Sequence, residues 1–394
     1  MALLAQIGRA LSVSLTMTWE ILWALILGFS LSAVVRAVVR REDIARALGD
    51  DSAKSISTAT VLGAASSSCS YAAVALARSL FRKGAGFTAA MVFEIASTNL
   101  VIELGIIIWL LLGWQFTLAE FVGGIVMIVL VTVWFGVFLR PRFVAEALRQ
   151  ADRGIAGSME GHAAMDMSAG GKGTVWQRLF SADGFTAVSR GFVMEWAAVL
   201  RDLMLGLLIA GAVAAWVPAS FWEHLFFTGH GSWSAIWGPI VGPIVAILSF
   251  VCSIGNVPLA AVLWNGGISF GGVISFMYAD LLILPILNIY RKYYGTRMTL
   301  FVLATFYSAM VLTGWAVEVI FGALGLVPAE RAATVVETTI SWNYTTALNI
   351  VFLSLAGVFV WRFLSTGGAR MLRIMGGPPP EPEGGHHAHA MRDM

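Results

Sequence analysis

The chain holds two cysteines, Cys69 and Cys252, and each is followed by a serine, Ser70 and Ser253. Both Cys-Ser pairs sit inside apolar runs that also carry turn-forming residues: Ser66, Ser67 and Ser68 in the first, Gly255, Asn256 and Pro258 in the second. A thiolate is a soft ligand suited to a soft metal or a trivalent metalloid, and it can also exchange with a disulfide. The plainer role of a buried cysteine is that of a small hydrophobe. A second set of chemistry is acidic. "FEIASTNLVIELG" contains Glu94, Asn99 and Glu103, and "ISFGGVISFMYADLLILPILN" contains Asp280. Ionisable side chains in long apolar segments are rare and mark solute or proton pathways, though a buried acid can equally serve as a hydrogen-bonding strut between helices. The candidate solute ligands are therefore Cys69, Ser70, Cys252, Ser253, Asn256 and Asn99, and the candidate proton carriers are Glu94 and Asp280. On one continuous helix Asn99 and Glu103 would share a face, with Glu94 and Thr98 nearly opposite. His386, His387 and His389 are conceivable metal ligands, but the surrounding "GGPPPEPEGGHHAHAMRDM" has the composition of a disordered tail.

The elements that carry these residues belong in a membrane. Of the 394 residues 58% are hydrophobic and 12% charged, where a soluble domain has about a quarter charged. Apolar runs fall near 13–35, 57–80, 87–112, 117–139, 193–217, 236–263, 268–288, 299–324 and 342–364. Most reach the about 20 residues that cross a hydrocarbon core of about 30 Å. The first run is too long for a cleaved signal peptide and is read as a span. A net charge of +2 gives no footing for nucleic-acid binding. No G-x-x-x-x-G-K-[ST] phosphate loop occurs, so no nucleotide drives the protein, and no cofactor is expected.

The two Cys-Ser stretches superpose at an offset of 183 residues. Cys69 falls on Cys252, Ser70 on Ser253, Gly84 on Gly267, Phe87 on Phe270 and Phe93 on Phe276. Lys and Arg indicate how the two halves are oriented, because cytoplasmic loops hold the excess. With all nine runs crossing, and Arg201 left out because it lies inside a span, the basic residues divide twelve to twelve. With 57–80 and 236–263 entering and leaving on one side, they divide 22 inside to two outside, Arg9 and Arg331. The expected fold is an all-α polytopic bundle of two inverted repeats, each with a broken or re-entrant hairpin. It has about seven spans and two hairpins, with eight or nine full spans as the alternative. Residues 1–140 form the first repeat, 141–192 a cytoplasmic linker, 193–365 the second repeat with a final span, and 366–394 a cytoplasmic tail. Duplicated halves with broken helices are a recurring transporter plan. The residues thus point to a membrane transporter that holds a small solute between the hairpin tips. The alternative is a transmembrane thiol-disulfide relay through Cys69 and Cys252.

The Cys-Ser motif, "RKGA" at 82–85 and "CSIGNVPLAAVLWNGGISFGGVISFMYADLLILPILNIYRKYYG" resemble the ArsP/YraQ-related family of predicted bacterial permeases over most of residues 15–325. The resemblance implies an inner-membrane protein of about eight spans. The namesake branch exports trivalent organoarsenicals and shows a Cys-x-Cys pair near the first motif. This chain departs from that pattern, reading Ser67-Ser68-Cys69-Ser70 there.

Overall fold

In lipid every backbone N–H and C=O must be satisfied internally, which only helices and closed barrels achieve. These apolar runs lack the alternating polarity of barrel strands. The computed structural model describes residues 2–38, 47–67, 70–151, 181–227, 232–249, 253–331 and 344–369, with single positions at 177, 179 and 333. Among the described residues it is all helical. The first half contains α1 (Ala2–Val38), α2 (Ala53–Ser66), α3 (Ser70–Arg82), α4 (Phe87–Asn99), α5 (Ile102–Leu111), α6 (Trp114–Phe138) and α7 (Pro141–Ala151). The second contains α8 (Ala182–Trp216), α9 (Ala219–Leu225), α10 (Ser232–Ser249), α11 (Ser253–Asn265), α12 (Phe270–Tyr278), α13 (Leu284–Tyr294), α14 (Thr296–Ala323) and α15 (Tyr344–Ser365). By length and apolarity five helices can cross a membrane, or up to seven if each bent pair is one span. α4 with α5 counts among the five, as does α10.

Two spans that the sequence presents as continuous are broken. α4 stops at Asn99, and α5 starts beyond an extended Val101. Polar side chains of the last turn bond back to carbonyls of their own helix. Ser97 Oγ donates to Glu94 O at 2.9 Å, Thr98 Oγ1 to Ile95 O at 3.1 Å, and Asn99 Nδ2 to Ile95 O at 3.4 Å. In the second half a 3₁₀ turn, Ala279–Leu282, leads to an extended Ile283. Pro285 then opens α13, at a position where its missing N–H costs little. The axis bends by 45° there. The facing relation drawn for an unbroken helix therefore fails: Asn99 ends one helix and Glu103 begins another. Glu103 packs on Gly28 of α1.

The helix boundaries repeat at the offset seen in the sequence. α3 and α11 end 183 residues apart, α4 and α12 start 183 apart, and the breaks at Leu100 and Ile283 are 183 apart. Gly84 and Gly267, which follow α3 and α11, both have a φ near +100°, a conformation glycine adopts without a Cβ penalty. α1 and α8 run antiparallel. Trp216 Nε1 donates to Gln6 O at 3.3 Å, Ser14 Oγ to Leu207 O at 2.9 Å, and Phe29 meets Trp196 at 5.1 Å.

The segment 53–82 leaves and returns to one place. Gly86 N donates to Leu48 O at 2.7 Å. Asp51, just before α2, accepts from Thr88 Oγ1 at 3.0 Å and Ala89 N at 3.1 Å, at the start of α4. In the second half the beginning of α10 lies beside the start of α12: a Cβ on Gly238 would meet Ser269, and one on Gly242 would meet Ser275. Gly271 is pressed against the Gly314 carbonyl and Gly272 against Gly238, the close contact that small residues permit between membrane helices.

Candidate functional site

The first residues of α3 and α11 touch. Ser70 Oγ and Ser253 Oγ lie 2.9 Å apart, and both donate to one oxygen, Asp280 Oδ2, at 2.6 Å and 2.5 Å. Asp280 is presented by the 3₁₀ turn at the break between α12 and α13, so the break itself delivers the carboxylate. Ser70, Ser253 and Asp280 are buried.

The other oxygen of Asp280 has no partner among the described residues, and neither end of the Asn256 amide has one. Asn256 is fully buried and stands three positions after Ser253, on the same side of α11. The constellation therefore leaves one carboxylate oxygen, one amide carbonyl and one amide NH2 group uncommitted. A polar solute that both donates and accepts hydrogen bonds would satisfy all three.

Glu94 is fully buried on α4. Its Oε1 accepts from the Tyr290 hydroxyl, while Oε2 has no partner among the described residues. Asp280 is close enough for the two charges to repel. Asn99 closes α4, its Nδ2 donating to Thr98 Oγ1 at 3.0 Å and to Ile95 O at 3.4 Å, while its Oδ1 has no partner among the described residues. The structure thus brings Ser70, Ser253 and Asp280 into contact, with Glu94 within electrostatic range, and among the described residues no hydrogen bond joins Asn99 to them. Cys69, Cys252, His386, His387 and His389 lie outside the described residues. Among the described residues no three His, Cys, Asp or Glu side chains group as a metal site.

Sequence reasoning passed over Glu120 and the tyrosines. Glu120 is fully buried on α6, and both of its carboxylate oxygens lack a partner among the described residues. The Tyr278 hydroxyl donates to the Glu120 carbonyl at 2.5 Å. The rule that singled out Glu94, an acid inside an apolar run, applies equally to Glu120 within 117–139. Tyr290 and Tyr294 are spaced i, i+4 on α13 and stack at 6.2 Å, a pattern legible as one helix face.

An all-helical bundle of broken apolar helices, with carboxylates and hydroxyls buried at the breaks, defines a multi-pass membrane protein of the transporter class. The chain belongs to the family described as "Predicted permease", whose model matches residues 6–319. It is 66% identical over 345 residues to the protein named "Putative permease Rv2963" of Mycobacterium tuberculosis, covering 88% of this chain and 85% of that one. No solved structure matches the chain.

Proposed function

We propose that the protein is a secondary transporter of the bacterial inner membrane, with its C-terminus in the cytoplasm, built from two inverted repeats. A small polar solute would be held where α3 and α11 meet, on Ser70, Ser253, Asn256 and Asp280. The observation that carries this reading is the convergence of Ser70 and Ser253, 183 residues apart, on Asp280 Oδ2. The inverted arrangement draws support from the antiparallel α1 and α8, the shared helix boundaries and the 22 to two division of basic residues. Asp280 and Glu94 are the proposed proton carriers, being buried acids at or beside the breaks. Asn99 is proposed only as an outlying ligand. A soft metal or trivalent (organo)arsenical is the solute class to test first, because a cysteine precedes each serine of the pair.

Uptake and efflux in oriented vesicles against a panel of soft metals and trivalent arsenicals test the reading. Wild type should move at least one solute, and Asp280→Asn should slow it at least about tenfold with expression preserved. Equal rates in Asp280→Asn and wild type would remove Asp280 from the site.

The thiol relay keeps one observation in its favour. Each cysteine is joined by a single peptide bond to a serine of the contacting pair. A relay needs both sulfurs, since a serine oxygen cannot replace the attacking thiolate. Cys69→Ser and Cys252→Ser should then each abolish activity. A permease that uses the thiols as ligands should lose only soft-metal or arsenical transport in these variants.

A further inference from the structure

Glu120 occupies a place that packing alone would fill with an apolar residue. Its counterpart 183 positions on, in α14, is Leu303. The carboxyl lies on the face of α6 that carries Gly123, one turn further along. A Cβ on Gly123 would stand 2.7 Å from the Tyr278 hydroxyl and 3.2 Å from Thr313 Cγ2, so α12 and α14 close over this face. Thr313 is fully buried, and its hydroxyl too has no partner among the described residues.

The groups on the surrounding elements are few. α12 contributes Tyr278, whose proton goes to the Glu120 carbonyl, and Asp280 lies two residues beyond it, within electrostatic range of Glu120. α14 contributes Thr313, while its Glu318 is turned to Gly271 N. Glu94 of α4 is bound to Tyr290, and Glu103 of α5 packs on α1. No basic side chain acts on Glu120 among the described residues. An isolated carboxylate in such surroundings is very costly and must be neutralised. The two Glu120 oxygens and one free hydroxyl are too few for a hard metal cation, which takes about six. A proton needs no further ligand.

We propose that Glu120 is a buried proton-binding station of the transport cycle, placed one helix away from Asp280 and communicating with it through the Tyr278–Asp280 segment. The proposal rests on the permease reading for the word transport, but proton binding at Glu120 can be read without any transported solute.

The experiment is infrared difference spectroscopy of the purified full chain in lipid, between acidic and alkaline buffer, following the C=O stretch of protonated buried carboxyl groups. Wild type should show a titrating component that is lost in Glu120→Gln and retained, shifted in frequency, in Glu120→Asp. Asp280→Asn should keep that component and move its midpoint. A Glu120→Gln spectrum identical to wild type would overturn the proposal. So would a component that disappears from wild type when sodium or potassium is added at constant pH, since the occupant would then be a metal ion. Glu120→Asp keeps the test open should Glu120→Gln fail to fold. Failure of the vesicle assay alone would count against the permease reading and leave this result standing.

Discussion

Asp280 Oδ2 takes two hydroxyl protons, from Ser70 and Ser253, and this sharing makes each serine matter to the other. Removing one hydroxyl leaves a buried carboxylate oxygen with a single donor, at a cost of about 1–3 kcal/mol. Ser253→Ala should therefore lower thermal stability measurably and weaken solute binding. The double variant Ser70→Ala/Ser253→Ala should cost less than the sum of the singles when Asp280 is also Asn, because the charge that needed both donors has gone. Strict additivity in melting curves of these variants would mean that the three groups do not form one unit. The residue types of this site were legible, since acids, amides and thiols stand out in apolar runs. Their partnership was not. Asp280 aligns at the 183-residue offset with Ser97 rather than with another acid, so the repeat gave no reason to place it on the two serines. Only the fold, through the break at Ile283, does that.

At the scale of elements the sequence announces where helices pause but not always why. Pro285 is a visible signal for the second break, and the 183-residue match places the start of α11 opposite that of α3. The first break has no proline. It follows Ser97, Thr98 and Asn99, which bond back to carbonyls of their own turn and read in sequence only as three polar residues in an apolar run. Helix contacts supply a sharper test. A Cβ on Gly63 of α2 would fall 2.6 Å from the Phe93 carbonyl oxygen and 2.9 Å from Ala96 Cβ of α4. Backbone cannot retreat cheaply, so Gly63→Ala should destabilise the fold by about 1–3 kcal/mol. A Cβ on Gly136 of α6 would meet nothing within 4 Å. There the same change should be neutral or stabilise by up to about 1 kcal/mol, as alanine favours helix over glycine. Melting temperatures of the two variants in detergent give the comparison, and equal values would show that α2 does not pack on α4 as described.

In the proposed inverted-repeat arrangement two segments, 53–82 and 232–265, enter and leave the bilayer on the same side, one from each face. At 1.5 Å per residue, α3 and α11, of 13 residues each, extend about 20 Å, which brings their first residues deep into a core of about 30 Å. Length and apolarity alone would let α10 cross. The contacts that tie Leu48 and Asp51 to Gly86 and Ala89, and Gly238 to Ser269, favour the returning path instead. The distribution of Lys and Arg favours it as well, and that much was readable before any coordinates. The direct test is labelling of single introduced cysteines with a membrane-impermeant maleimide, applied to intact cells and to inverted vesicles, with the native-thiol signal subtracted. Ser52→Cys and Lys83→Cys, at the two ends of the first segment, should react only from the cytoplasm. Ser232→Cys and Asn265→Cys, at the ends of the second, should react only from outside. Labelling of the two ends of either segment from opposite faces would contradict the account.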